Sequence, residues 1–118
     1  NNKKPKWIIG KILDKIKEIN KFSNDEVKIG ILGITFKPNV EDTRESPALQ
    51  IAKELINKKI KVLISEPNLK SHKEVQIDDL NFVVSNSNII VILVAHKEFY
   101  NLDISNKICL DFCGVTNK

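Results

Sequence analysis

The sequence predicts an α/β fold, a three-layer αβα sandwich with a mainly parallel sheet, preceded by one N-terminal helix. Three observations carry this. Short, continuously apolar stretches recur along the chain, as strands buried on both faces require. Amphipathic patterns of helical period separate them. Helical and extended patterns also alternate, which is the order that builds a parallel sheet with crossover helices.

Each element has its own justification. Pro5 opens a first helix, since proline loses nothing in a first turn. The stripe Ile8, Ile9, Ile12, Leu13, Ile16 and Ile19 then marks one buried face, begun by Trp7. Phe22 to Glu26 reads as a linker, and Val27 to Leu32 as a buried strand. Ser46-Pro47 is a strong helix start, serine as N-cap and proline at the first helical position. Ala48, Leu49, Ile51, Ala52, Leu55 and Ile56 supply that helix's apolar face. Ile60 to Ile64 is a second strand and Glu66-Pro67-Asn68 a turn. Asp78 is expected to cap a helix over Leu80 to Ser85. Asn88 to Val94 is the most apolar strand, Lys97 to Tyr100 a turn or short helix, and Lys107 to Phe112 a last strand ended by Gly114. This order is that of a doubly wound, Rossmann-like domain.

With 118 residues, 42% hydrophobic and 29% charged, the chain is one domain in size and can bury a core without disulfides. Cys109 and Cys113 offer no paired framework, which points to a reducing, cytoplasmic setting. No apolar run approaches the roughly 20 residues that span a bilayer. The polar first residues lack a signal-peptide core, and the absence of methionine fits a piece of a longer protein. The net charge is +4, concentrated at Lys3, Lys4, Lys6, Lys11, Lys15, Lys17 and Lys21. That pattern fits a solvated helix face, and Arg44 is the only arginine, so nothing else supports a nucleic-acid surface.

In doubly wound sheets ligands bind beyond the carboxyl ends of the strands. The loop from Gly33 to Ser46 lies at that edge and exceeds the usual 2 to 6 residues or so of such connections. It offers Lys37 and Arg44 among Glu41, Asp42 and Glu45, followed by a helix N-terminus. Such donors suit an anionic ligand; the alternative is a surface loop whose charges pair with one another. Gly30-Ile31-Leu32-Gly33 is not the G-x-G-x-x-G dinucleotide fingerprint, and no Walker loop is present.

The run Gly33-x-x-Phe36-Lys37-Pro38-Asn39-x-x-Asp42-x-Arg44-Glu45-Ser46-Pro47-Ala48 resembles the signature of the C-terminal domain of UDP-glucose/GDP-mannose dehydrogenases. Glu66-Pro67-Asn68 and Leu93 to Phe99 are most similar to the branch that oxidises UDP-N-acetyl-D-mannosamine. The resemblance implies that residues 1–24 end a central, dimer-forming domain and that 25–118 form the UDP-binding domain. It implies an NAD-dependent oxidation of a UDP-sugar in the full-length homodimer, with NAD held mainly by an N-terminal domain and the cysteine nucleophile borne outside this segment. Phe36 and Lys37 would contact the UDP-sugar, Arg44 would reach the NAD, and Asp42 and Glu45 would orient those cations. No catalytic or metal-binding residue is expected in the chain itself. One departure stands out: Cys113 occupies the place where the family usually has a basic residue after the last strand. His96, next to the most apolar strand, is expected in a supporting or structural role, and His72 suggests none. Two other functions remain to be weighed: a stand-alone nucleotide- or phosphate-binding module, and a basic nucleic-acid-binding domain.

Overall fold

A computed structural model describes residues 3–23 and 25–116. The expected boundary at residue 24 and the chain ends at 1, 2, 117 and 118 lie outside the described residues. The elements run α1 (Lys3–Asn20), β1 (Lys28–Leu32), α2 (Pro47–Asn57), β2 (Lys61–Ser65), α3 (Leu80–Asn86), β3 (Ile89–Ile92), a 3-10 turn (Lys97–Phe99) and β4 (Ile108–Asp111). The sheet has four strands in the order β2-β1-β3-β4, and every pairing is parallel. The order and type of elements are those the sequence predicts.

Alternation along the strands feeds two cores. Ile29, Ile31, Ile64, Ile89 and Val91 face α1 and α2, where Ile8, Ile9, Ile12, Ile51 and Leu55 meet them. Leu32, Ile90 and Ile92 face the other way, toward Val83 of α3, Phe99 and Val115. Gly30 lies on this second face because α3 comes very close: a Cβ there would stand 2.4 Å from the Ser87 Oγ and 3.0 Å from a Val83 methyl.

Four local expectations are corrected. Helix α1 begins at Lys3 rather than Pro5, which leaves Pro5 inside the first turn, where its missing N–H is harmless. Trp7 is 56% exposed, because it lies one residue off the Pro5, Ile8, Ile12 stripe. It leans edge-on against Phe112 at 5.8 Å between centroids, with the Lys11 ammonium 5.4 Å from its ring. Asp79, not Asp78, caps α3, accepting from the Asn81 and Phe82 amides. Asp78 is committed elsewhere: its N–H donates to the Ile64 carbonyl and its carboxylate accepts from Gln76. Ile56 also turns outward at the end of α2.

The tight Gly30–Ser87 approach makes a test of the second core. Gly30→Ala should destabilise the chain by roughly 1 to 3 kcal/mol through overpacking, read as a lower denaturant midpoint; an unchanged midpoint would mean that α3 can move away freely.

Candidate functional site

Strand β1 has β2 on one side and β3 on the other, so the chain reverses its winding between β1 and β3. Ligands of doubly wound sheets lie at such a switch point, beyond the carboxyl ends of the strands. The two loops there are Gly33 to Ser46 after β1 and Leu93 to His96 after β3. They cross in contact. Gly33 has φ 94°, and a Cβ on it would stand 2.7 Å from that of Val94, so glycine is needed both for conformation and for room.

The long loop is closed on itself. Phe36 N–H donates to the Asp42 carbonyl at 2.6 Å, and Ser46 N–H to that of Thr43. Ser46 Oγ donates to the Thr35 carbonyl while accepting from Leu49 N–H as the N-cap of α2. One hydroxyl thus ties the loop's start to its end and both to the helix. Asn39 and Glu45 lie in the left-handed region, with φ 61° and 56°; asparagine tolerates this well and glutamate less so.

Beneath the loop sits a buried polar cluster. Glu66, at the end of β2, and His96, after β3, are 2% and 0% exposed. Glu66 Oε1 accepts from Ile34 N–H at 2.8 Å and Thr35 N–H at 3.3 Å. It lies 2.9 Å from His96 Nε2, while Oε2 accepts from Asn68 N–H. On the far side of the ring, Nδ1 accepts the Asn39 N–H at 2.9 Å. Burial alone would raise the Glu66 carboxyl, but the bonds from His96, Asn68 and Ile34 together outweigh it and hold the group below its usual range.

The predicted site residues divide between two openings. Phe36 is exposed above a cleft of about 180 Å³ that is bounded by α1, the start of α2 and Phe112. Lys37, the next residue, is exposed. Arg44 and Glu45 line a wider polar cleft of about 800 Å³ between the loop, α2 and residues 72–74. Asp42 grips Arg44: Nε lies 3.1 Å from Oδ1 and Nη2 2.9 Å from Oδ2. The Arg44 side chain, and then its backbone N–H, push the Asp42 carboxyl down to about 2. Glu45 reaches Arg44 through its charge alone among the described residues. His72 fastens residue 43 through Thr43 Oγ1 at 3.2 Å. Burial pushes the Cys109 thiol up to about 11 and the Cys113 thiol up to about 12, so neither is a thiolate near neutrality. No cluster of three or more potential metal ligands exists among the described residues.

Two contributors were not visible in the sequence. Lys4 and Pro5 of α1 form one wall of the Phe36 cleft, and Glu66 joins His96 across 30 positions. The Asn39 side chain is a partial signal, since asparagine is favoured where φ is positive.

A doubly wound α/β domain with a cleft at its switch point and a cation-bearing loop across it is a ligand-holding unit. Comparison with known proteins gives that unit a lineage. Residues 30–118 match the model of the UDP-glucose/GDP-mannose dehydrogenase family, UDP binding domain, and the chain belongs to this family. It is 34% identical over 121 residues to the UDP-N-acetyl-D-mannosamine dehydrogenase of Campylobacter jejuni, covering 96% of this chain and 28% of that protein. The UDP-N-acetyl-mannosamine dehydrogenase structure from Staphylococcus aureus superposes with a TM-score of 0.79 at 28% identity, over 100% of this chain and 29% of that one. A UDP-glucose dehydrogenase from Pyrobaculum islandicum shares the fold, with a TM-score of 0.81 at 21% identity over 98% of this chain and 27% of its own. The chain thus spans a little over a quarter of the length of these relatives.

The lowered Glu66 carboxyl sets a pH dependence. A depressed folded value stabilises above the ordinary carboxylate range of about 4.3 and is lost as pH falls through the folded value. Melting temperatures of wild type and Glu66→Gln should therefore differ most near neutrality and converge as pH falls below the ordinary carboxylate range. A gap that stays constant over that range would show that folding does not lower the Glu66 carboxyl.

Proposed function

We propose that this chain is the C-terminal, nucleotide-sugar-holding part of an NAD-dependent UDP-sugar 6-dehydrogenase. The observation that carries it is the cleft under Phe36 at the switch point of a chain matching a UDP binding domain, with Lys37 exposed next in the loop. The sugar favoured is UDP-N-acetyl-D-mannosamine, oxidised at C6 to the uronate for cell-surface polysaccharide synthesis. The similarity to the Campylobacter and Staphylococcus enzymes supports that choice.

In this reading Phe36 gives the nucleoside an apolar surface and Lys37 gives the pyrophosphate a point charge. Arg44 faces the second opening and reaches the NAD held by the N-terminal domain. Asp42 sets the angle of its guanidinium, and Glu45 adds charge beside it. NAD, when bound, supplies the hydride acceptor for the oxidation of the C6 alcohol to the carboxylate, which takes two steps. The nucleophile comes from another domain, in keeping with thiols held protonated at Cys109 and Cys113. Residues 1–24 are read as the end of the central domain of a cytoplasmic homodimer; the family match beginning at residue 30 supports that division. Among the described residues no helix is long and apolar enough to cross a membrane.

Three outcomes follow. The isolated chain should yield no NADH from any UDP-sugar, whereas the full-length protein should. In the full-length protein, Lys37→Ala should weaken UDP binding about tenfold or more, at about 1.5 to 3 kcal/mol for a charged hydrogen bond, with NAD affinity and melting temperature nearly unchanged. Arg44→Ala should weaken NAD more than UDP. Calorimetric titration of both ligands decides: unchanged UDP affinity in the Lys37 variant returns the residue to a solvated-loop role.

A further inference from the structure

The mechanism proposed above does not use His96, yet His96 is fully buried at the centre of the site. Its hydrogen bonds fix its proton. Nδ1 faces the Asn39 backbone N–H at 2.9 Å and the Asn68 side-chain Nδ2 at 3.1 Å; the backbone N–H can only donate, so Nδ1 must carry a lone pair. Nε2 faces the Glu66 carboxylate at 2.9 Å and Thr35 Oγ1 at 3.1 Å. The Thr35 hydroxyl hydrogen is already donated to the Lys37 carbonyl at 3.0 Å, so its oxygen accepts. Both sides of the ring therefore select one form, neutral with the proton on Nε2. Asn39 is held a second time, its Oδ1 accepting from Lys97 N–H at 3.0 Å. The turn that presents Phe36 and Lys37 is thus fastened at Thr35, Lys37 and Asn39 to one buried imidazole and its neighbours.

We propose that His96 is a positioning residue for nucleotide binding: Glu66 holds its Nε2–H, and the freed Nδ1 lone pair holds Asn39, so that the Phe36-Lys37 turn is shaped before UDP arrives. This rests on the reading of the chain as a UDP-binding unit. The turn is exposed and bears two left-handed residues, Asn39 and Glu45. An exposed loop of that kind would ordinarily be ordered at the expense of ligand affinity. Here the ordering is done by bonds beneath it.

Two substitutions separate the two ends of the ring. His96→Gln places an amide nitrogen near the position of Nε2, keeping the Glu66 bond and losing the Asn39 bond. His96→Asn places an amide oxygen at the position of Nδ1, keeping the Asn39 bond and losing the Glu66 bond. In the full-length protein, UDP titration, thermal melts and hydrogen exchange over residues 34–39 are measured for both. The expected result is that the Gln variant loses exchange protection in that segment and roughly tenfold in UDP affinity, while the Asn variant retains both, whatever their order of melting temperature. Losses that track melting temperature alone in the two variants would overturn the proposal. Should both variants unfold, nitrogen NMR of histidine-labelled wild type decides, since a proton on Nδ1 is incompatible with it. If wild type itself fails to bind UDP, the UDP-binding reading falls, and exchange protection in the two variants still judges the positioning role.

Discussion

The buried contact between Glu66 and His96 is the constraint on which the ligand edge depends. A carboxylate removed from water is costly unless its lone pairs are filled. Glu66 fills them with three backbone N–H groups, of Ile34, Thr35 and Asn68, and with the imidazole. Those donors belong to the first residues of the loop after β1 and to the turn after β2, while the imidazole follows β3. One side chain therefore specifies how three strand ends are joined. Removing it would orphan donors in all three segments, a larger penalty than the loss of any single bond.

Much of the fold was legible in the sequence because its two central strands are buried on both faces. Ile29 to Leu32 and Ile89 to Ile92 read as unbroken apolar runs, and nothing but a covered parallel sheet accommodates them. Ser46-Pro47 marked the start of α2 to the residue, since N-cap chemistry is local. Asp78 and Asp79 were not separable in sequence, because either carboxylate can cap and only the tertiary bond from the Asp78 amide to Ile64 decides between them. The site was legible in half. Phe36, Lys37, Asp42 and Arg44 fall in one contiguous motif, whereas Glu66 and His96 meet only once the sheet order is known. Lys4 escaped for the same reason: its place in the cleft follows from α1 packing against α2.

The loop separates two openings by its own curvature. Phe36 stands at the cleft walled by α1, and Arg44 at the polar opening beside residues 72–74. The Phe36 N–H to Asp42 C=O bond closes the loop between them, and the Asp42 carboxylate then points outward to Arg44. A surface ion pair of this kind contributes little to stability. Its consequence is geometric, since a long side chain that would otherwise sample many rotamers is kept near one direction. The Cys113 departure is set in the same frame. The thiol is half-buried and close to the Ile92 carbonyl at 3.7 Å, so the end of β4 supplies packing where a charge was expected, and the lysine that lines the cleft is Lys4 of α1.

That arrangement places unusual weight on backbone shape. A cation on a flexible stem contributes to binding only in proportion to how well its base is held, because ordering it on contact costs rotamer and loop entropy. Lys37 is exposed, and its neighbour two residues on is left-handed, a conformation that costs about 1 kcal/mol or more where the surroundings do not impose it. Here they do: Asn39 is bound through both its backbone N–H and its side-chain oxygen, and the Lys37 carbonyl is bound by Thr35. The freedom left to Lys37 is that of its own side chain. In the proposed reading, the polar cluster underneath, which adds little to the two apolar cores, sets the entropy of UDP binding at the surface, and the dependence of the turn on a buried carboxylate and an imidazole links the stability of the sheet edge to the affinity of the site above it.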